Sequence, residues 1–425
     1  MTRLKFWLDK TFPATAQERA AALWSFGYFF MLLAGYYVLR PLRDQMGIAG
    51  GVKALPWMFT ATFVTLLVAQ PLYGALVSRV PRARFIPIVN HFFVANLALF
   101  WLLLTLGVAP VIVARVFFVW VSVFNLFAVA VFWSFMADLF TSEQGKRLFG
   151  FIGAGGTAGA LLGPAVTIGL SIPFGPTNLL LAAIVFLELA VFCVYRLERT
   201  ADARKATFDA DARIGGSAFA AAAEMARSPY LLGIGAWVSL LSFGATILYF
   251  QQAHIVAAAV HDAGAQTRIF AWIDLAVGLL TLATQVFATA RVLSRFGTGA
   301  AAAALPAVYV VGFATLALTT SVMAVFVFQV AQRWMNFAIA NPARQVFFTV
   351  LDREEKYKAK NLIDVVIYRG SDALYGWVFD TLQALGLKLG GIALCALPVV
   401  GAWIVLSAVL GRVQERRAAM ADGDL

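Results

Sequence analysis

The chain has 425 residues, of which 61% are hydrophobic and 13% are charged, and its mean hydropathy is +0.82. This composition excludes an ordinary soluble globular protein, and apolar runs of roughly 20 residues recur along the whole chain, which indicates a polytopic helical membrane protein. The net charge of +11 therefore bears first on membrane topology, because cytoplasmic loops collect Lys and Arg.

Twelve membrane spans are predicted, and the ninth and tenth are joined by a tight turn. Their approximate bounds are 21–43, 55–77, 86–106, 111–137, 149–170, 178–195, 230–252, 268–289, 301–320, 322–348, 361–385 and 390–410. The eleventh is the weakest by hydropathy, because it contains Asp364, Arg369, Asp372 and Asp380. The alternation of apolar and polar residues that is typical of transmembrane strands is absent from the sequence.

Loop charges predict the orientation of the chain. Both ends and the even-numbered loops carry most of the Lys and Arg, so we expect a multi-pass protein of the cell inner (plasma) membrane with both termini in the cytoplasm. The long central loop divides the chain six plus six. We expect an interfacial segment at 1–20, a six-helix half at 21–195, a cytoplasmic linker at 196–229, a second half at 230–410 and a cytoplasmic tail at 411–425.

Weak internal similarity supports two parallel halves. LVSRVP after the second span resembles VLSRFG after the eighth, and FTSEQGKR after the fourth resembles LDREEKYK after the tenth. The fold class predicted is thus an all-α membrane protein with two parallel six-helix halves, similar to the major facilitator superfamily.

Two local motifs are consistent with that fold. GALVSRVPRAR in the second loop resembles a loop motif of that superfamily, with Ser78 where Asp is usual and Pro81 where Gly is usual. GFIGAGGTAGALLGP in the fifth span resembles an antiporter motif. It equally indicates close helix packing, because small residues let backbones approach.

Lysines lie in loops, at the termini or near the ends of the predicted spans, and six basic residues within the spans are arginines. They are Arg40, Arg43, Arg115, Arg333, Arg344 and Arg369. A charged side chain inside the membrane costs several kcal/mol unless it faces protein or water. Arginine keeps its charge when desolvated and binds phosphate or carboxylate through two parallel hydrogen bonds. The arginines therefore favour an anionic substrate, and the alternative is local pairing, such as Arg40 with Asp44 or Arg369 with Asp372.

Helical spacing groups the polar residues of three spans into stripes that predict a shared water-filled cavity. The stripes are Asp274, Thr281 and Gln285 in span 8; Gln329, Arg333, Asn336 and Arg344 in span 10; and Asn361, Asp364, Tyr368, Asp372 and Tyr375 in span 11, with Arg369 beside them. Asp274 is the candidate for a coupling carboxylate, because burial favours the neutral acid. An ion pair between Asp274 and a cavity arginine is the alternative.

Three stretches together resemble the ATP:ADP antiporter family of bacteria and plastids. They are YYVLRPLRDQMG, FWSFMADLFTSEQGKRLFGFIGAGG and NPARQVFFTVLDREEKYKAKNLIDVVIYRGSDA. The resemblance covers most of the chain, and its last stretch is the most specific. It implies a twelve-helix nucleotide transporter with a facilitator-like fold.

The same resemblance implies roles for individual residues. A basic residue of the family's first span falls on Arg43, a basic residue of the eleventh span falls on Arg369, and Asp364 is the family's aspartate there. Two acidic residues of the family are replaced, one in the fourth span near Asn125 and one in the seventh span by Gln251.

The predicted function is secondary transport of a nucleotide or a similar phosphorylated anion by exchange. The candidate substrate-binding residues are Arg40, Arg43, Arg115, Asn125, Gln251, Arg333, Asn336, Arg344, Asp364, Tyr368, Arg369 and Asp372, with Asp274 for coupling. A proton-coupled transporter of another solute and a non-transporting membrane scaffold or sensor are the alternatives.

No catalytic constellation, metal-ligand cluster or Gly-x-x-x-x-Gly-Lys-Ser/Thr loop occurs in the sequence, so neither an enzyme nor an ATP-driven pump is expected. We expect a monomer in the lipid bilayer that needs no cofactor or metal and binds no nucleic acid.

Overall fold

A computed structural model describes residues 16–77, 82–201, 225, 228–351, 359–360 and 362–423. Most of the predicted interfacial segment (1–20) and of the central linker (196–229) lies outside the described residues. Ser78 and Pro81 of the loop motif and Asn361 of the span 11 stripe lie outside them too.

The described chain forms twelve long helices, which we number α1 to α12. They are α1 (Ala16–Ala49), α2 (Leu55–Val77), α3 (Arg82–Thr105), α4 (Pro110–Leu139), α5 (Ser142–Leu170), α6 (Leu179–Ala201), α7 (Pro229–Ala259), α8 (Ala263–Phe287), α9 (Thr289–Leu318), α10 (Val322–Phe347), α11 (Tyr368–Ala384) and α12 (Leu389–Gly423). Short 3₁₀ turns, Val52–Ala54 and Pro176–Asn178, precede α2 and α6. A π-helical segment, Leu362–Ile367, runs directly into α11.

The predicted spans correspond to these helices one by one. Eleven of the helices are long and apolar enough to cross a membrane, and α11 is the helix that falls short. The weakness of α11 follows from its charged residues, as the sequence predicts. Several helices extend beyond the predicted spans, since the ends of a helix can continue into polar surroundings with ordinary backbone hydrogen bonds.

Local sequence explains where three helices begin. The hydroxyl of Thr141 accepts a hydrogen bond from the Gln144 amide, and the Gln144 side chain accepts one from the Thr141 amide, which forms a capping box at the start of α5. Ser228 caps α7 through the Leu231 amide, and Ser321 caps α10 through the Ala324 amide. Each cap satisfies a backbone N–H that has no partner within the helix.

A glycine divides α9 into two parts. Gly297 has φ 78° and ψ 168°, a backbone conformation that residues with a Cβ rarely adopt, and the helix is kinked there. The part after Gly297 corresponds to the predicted ninth span, which was expected to begin at about residue 301.

The chain forms two compact units. The first contains the described residues of Met1–Met46, Val68–Ala212 and Ala263–Leu275. The second contains those of Gly47–Leu67, Arg213–Asp262 and Ala276–Leu425. Each unit therefore combines segments from both sequence halves: the start of α8 belongs to the first unit, and the start of α2 belongs to the second.

Glycines bring α1 and α5 into close contact within the first unit. A Cβ added at Gly155 would lie 2.5 Å from the Phe26 carbonyl oxygen, and one at Gly163 would lie 2.6 Å from the Ala34 carbonyl oxygen. The glycine-rich motif of the fifth span therefore packs against a helix backbone, as small residues in membrane helices do. Gly150 at the start of the motif has open space around it.

The core of the second unit is aromatic and joins four helices. Trp237 of α7 donates a hydrogen bond to the Ser407 hydroxyl of α12 at 2.9 Å, and its ring lies 5.5 Å from that of Trp403. Tyr309 of α9 packs on Trp403 and donates to Gln332 of α10 at 2.9 Å. The polar ends of the Trp237 and Tyr309 rings have hydrogen-bond partners, as those of buried Trp and Tyr usually do.

Substituting Gly159 with Val should destabilise the protein. A side chain at Gly159 would collide with the backbone of α1 at Phe30 and Ala34, and overpacking of this kind costs about 1–3 kcal/mol. We expect a lower thermal midpoint for Gly159→Val in detergent. Gly169→Ala is the matched control, because a Cβ there meets nothing within 4 Å. Equal midpoints for the two variants would contradict the close packing of α1 and α5.

Candidate functional site

An ion pair joins α1 to α8 within the first unit. The Arg40 guanidinium donates a hydrogen bond to Oδ1 of Asp274 at 3.0 Å, and the Asp274 side chain is almost fully buried. The guanidinium also lies over the Tyr37 ring, 5.8 Å from its centroid. The geometry shows the arginine pairing that the sequence allows for Asp274, and a role of Asp274 in coupling stays a prediction.

Arg43 lies one helical turn after Arg40 and has a different environment. Its guanidinium stacks over the ring of Phe118 from α4, with 4.2 Å between its central carbon and the ring centroid. Asp44 lies 3.8 Å from Arg43 and forms a salt bridge with it. The sequence suggested Asp44 as a partner of Arg40, and the structure pairs Asp44 with Arg43.

The remaining candidates of the first unit lie on α4. Arg115 is exposed and sits in the second turn of the helix, whereas Asn125 is half-buried near the middle. Their assignment as substrate-binding residues stays a prediction.

A second ion pair links α10 to the segment before α11, within the second unit. Arg344 donates to Oδ1 of Asp364 at 2.9 Å, and both side chains are at least two-thirds buried. Both residues belong to the polar stripes predicted from the sequence. The structure thus brings the span 10 stripe and the span 11 stripe together at this pair.

Each of the two helical regions that form this ion pair includes a π-helical segment. One is Asn336–Ala340 inside α10, and the other is Leu362–Ile367, which contains Asp364. In a regular helix the Ala338 carbonyl would accept from residue 342, but Pro342 has no N–H. The Thr289 hydroxyl donates to that carbonyl instead, at 2.8 Å. Single π turns are rare in proteins as a whole, and those that occur are often found at functional sites. These segments therefore support the placement of a site on α10 and α11.

Asp372 forms the centre of a polar network between α7 and α11. Its Oδ1 accepts hydrogen bonds from the Ser242 hydroxyl at 2.5 Å and the Thr246 hydroxyl at 3.3 Å. Its Oδ2 accepts from Arg369 at 3.3 Å. The Arg369 guanidinium also lies 5.3 Å from the Tyr368 ring centroid, and 34% of its side chain is exposed.

Three further candidates lie on α7 and α10. Arg333 and Asn336 are half-buried, and Asn336 is the first residue of the π segment in α10. Gln251 is fully buried, and its amide donates to the Leu389 carbonyl at the start of α12 at 3.3 Å. This contact makes Gln251 a bridge between two helices, with no surface open to a ligand.

Three of the predicted arginines share one arrangement. Arg40, Arg43 and Arg369 each lie against an aromatic ring and form an ion pair with an aspartate. A guanidinium has five N–H donors, and an aspartate in this geometry engages one or two of them. Such a cation is held in place and can still donate hydrogen bonds to an oxyanion such as phosphate.

Sequence reasoning missed Ser242, Thr246 and Thr289. Serine and threonine are common in membrane helices, and no spacing rule distinguishes those that bond to a neighbouring helix from those that bond to their own backbone. A signal existed for Thr289, because the freed carbonyl before Pro342 requires an outside donor. The described residues contain no group of three His, Cys, Asp or Glu side chains that could hold a metal ion.

Comparison with solved structures defines the fold class. A bacterial homologue of the iron transporter ferroportin in an inward-facing state aligns at TM-score 0.66 and 10% identity over 94% of this chain and 99% of its own. The nucleoside transporter NupG aligns at 0.62 and 14% identity, over 93% and 98%. A bacterial homologue of the lysosomal transporter Spinster, inward-facing and unoccupied, aligns at 0.58 and 13% identity, over 95% and 98%.

The predicted fold class is confirmed: the protein is an all-helical membrane protein with a major-facilitator-like fold. No protein-family model matches the sequence, and no curated protein matches it. Resemblance to the ATP:ADP antiporter family therefore stays a prediction, as do the roles that it implies.

Removing one member of the Arg40–Asp274 pair should cost more stability than removing both. Arg40→Met leaves the Asp274 carboxylate buried without its cation, and breaking a buried pair in this way costs about 3–5 kcal/mol. We expect the thermal midpoint to fall for Arg40→Met and to recover in Arg40→Met with Asp274→Asn. Arg412→Met, at an exposed position of α12, is the control. A double variant less stable than Arg40→Met would contradict the pairing.

Proposed function

We propose that the protein is a secondary transporter that moves a nucleotide or a similar phosphorylated anion across the membrane, most simply by exchange. The observation that carries the proposal is Arg369. It lies on a helix of a membrane protein, it is held by Asp372 and the Tyr368 ring, and a third of its side chain stays exposed. An exposed and oriented guanidinium on a helix of a membrane protein is suited to bind a phosphate group.

Chemistry favours an oxyanion over a neutral solute at these residues. With a neutral solute, the guanidinium N–H groups would remain hydrogen-bonded to water. Phosphate instead offers several charged acceptors in a geometry that matches the planar fork of arginine. The ring of Tyr368, which lies beside Arg369 and is half-buried, also offers an apolar face. A nucleotide carries both a phosphate chain and a flat base, so it can use both kinds of surface.

Two comparisons support the nucleotide within this chemistry. The sequence stretches around Arg43 and Arg369 resemble nucleotide exchangers, and one solved structure with the same fold is described as a nucleoside transporter. A nucleotide is a nucleoside with phosphate attached, and the arginines would supply the additional recognition. The fold similarity itself supports only the architecture.

Exchange is favoured over proton coupling by the pairing of Asp274. A carboxylate bonded to a guanidinium at 3.0 Å is an ion-pair partner, and a proton-coupled carrier would need that bond to open. The loop charges support an inner-membrane protein with both termini in the cytoplasm. We propose a monomer as the transporting form.

Arg43→Ala and Arg369→Ala should each weaken nucleotide binding. The loss of a hydrogen bond to a charged group is worth about 1.5–3 kcal/mol, which corresponds to a roughly ten- to hundredfold rise in the dissociation constant. Lysine at either position should recover part of the loss, because it keeps the charge but not the two-pronged geometry. Binding isotherms with ATP and ADP on purified protein measure this.

Two variants make this test decisive. Arg412→Ala is the control and should bind ATP normally, since Arg412 is an exposed residue of the C-terminal part of α12. The double variant Arg369→Ala with Asp372→Ala removes the ion pair without leaving a buried charge. Normal ATP binding by that double variant would show that Arg369 only neutralises Asp372.

The mode of transport can be tested in proteoliposomes. An exchanger should take up labelled ATP only when unlabelled nucleotide is present inside the vesicles, and an imposed pH gradient should not change the rate. Uptake into empty vesicles that follows the proton gradient, and that is lost in Asp274→Asn, would contradict exchange and favour proton-coupled transport.

A further inference from the structure

The hydroxyl groups of α7 that face α11 differ from many other hydroxyls of the described helices, which bond within their own helix. Serine and threonine in a helix commonly donate to the carbonyl four residues earlier. Hydroxyls that do so here include those of Thr62, Ser122, Thr167, Thr267, Thr315, Thr381 and Ser407. Ser242 and Thr246 instead donate to Asp372 of α11.

Both hydroxyls lie deep in the second unit. Ser242 is fully buried and Thr246 is nearly so, and their spacing of four residues puts them on one face of α7. Ser239, one turn earlier, continues this face with contacts of 2.9 Å to the hydroxyls of Ser371 and Tyr375. The face is therefore a continuous line of hydroxyl groups against the polar side of α11.

The bonds to Asp372 are divided between its two oxygens. The α7 hydroxyls occupy Oδ1, and Arg369 occupies Oδ2. A carboxylate with one oxygen hydrogen-bonded to a separate helix cannot rotate freely about its side-chain bonds. Its other oxygen then fixes where the Arg369 guanidinium lies relative to α7.

We propose that Ser242 and Thr246 are positioning residues for the anion-binding group of Arg369. By donating hydrogen bonds to Oδ1 of Asp372, they keep Oδ2 hydrogen-bonded to the Arg369 guanidinium. The remaining N–H groups of that guanidinium are then directed to the phosphate of the substrate. This inference rests on the proposed function, in which Arg369 binds that phosphate. It adds α7 to the elements that determine affinity for the phosphate group.

The first test compares variants that lose a hydroxyl and little else. Ser242→Ala and Thr246→Val should each raise the dissociation constant for ATP, by about tenfold for Ser242→Ala and less for Thr246→Val, whose hydrogen bond is longer. Adenosine binding should change little, because adenosine has no phosphate. Thr246→Ser keeps the hydroxyl and should bind ATP like the unsubstituted protein. Thr167→Val is the control, since its buried hydroxyl bonds within its own helix.

The second test asks whether the α7 hydroxyls act through Asp372. In protein that already carries Asp372→Ala, adding Ser242→Ala should change ATP binding by less than twofold, because residues of one network are not additive. An equal effect of Ser242→Ala with and without Asp372 would overturn the inference and assign Ser242 to packing. If Ser242→Ala does not fold, the pair Thr246→Val and Thr246→Ser provides the same comparison.

Failure of the inference can be told apart from failure of the proposed function. If Arg369→Ala weakens ATP binding and both hydroxyl variants bind normally, the positioning role is wrong and the anion site at Arg369 stands. If Arg369→Ala itself binds ATP normally, the proposed phosphate contact is wrong and the positioning role falls with it.

Discussion

The need to pair a charged side chain inside a membrane-spanning helix governs the polar structure of this protein. An ionised group left alone at that depth costs several kcal/mol, so it is retained with a counter-charge, a hydrogen-bond donor or water. Four of the intramembrane arginines satisfy this need with aspartates: Arg40 with Asp274, Arg43 with Asp44, Arg344 with Asp364, and Arg369 with Asp372. Two of these pairs, Arg40 with Asp274 and Arg344 with Asp364, join separate helical segments, so these charges also influence how the helices pack.

The first and fifth helices of each half meet through different chemistry. Glycines of α5 lie against the backbone and the apolar side-chain atoms of α1. Between α7 and α11 the contact consists of hydroxyls around Asp372. Because the second contact carries functional groups, it can hold Arg369 in a defined position, and this is why the proposed phosphate contact lies on α11.

Much of the fold follows from the sequence alone. Apolar runs of membrane-spanning length, weak only where Asp364, Arg369 and Asp372 occur, predict the helices, and small residues predict the close packing of α5. Helix number and amphipathic character are local properties, so they can be obtained from neighbouring residues. The glycine motif of α5 is likewise local, because its packing needs only the absence of side chains.

Some partners of the charges are local, as Asp372 is for Arg369, and others are not. Arg40 pairs with Asp274, 234 residues away, although Asp44 lies one turn from it and is the partner that spacing suggests. Gln251 falls at the position of an acidic residue by resemblance, and the structure places its amide against the backbone of α12. Such outcomes depend on the rotation of each helix about its axis and on which helices become neighbours, and a single sequence does not contain that information in readable form.

The central claim is that intramembrane arginines recognise phosphate, and the dependence of affinity on phosphate tests it most directly. Isothermal titration of the purified protein with adenosine, AMP, ADP and ATP would measure that dependence at constant base and ribose. Each well-made charged hydrogen bond contributes about 1.5–3 kcal/mol, so two arginines predict that ATP binds at least a hundredfold more tightly than adenosine. Equal affinities for adenosine and ATP would contradict the account.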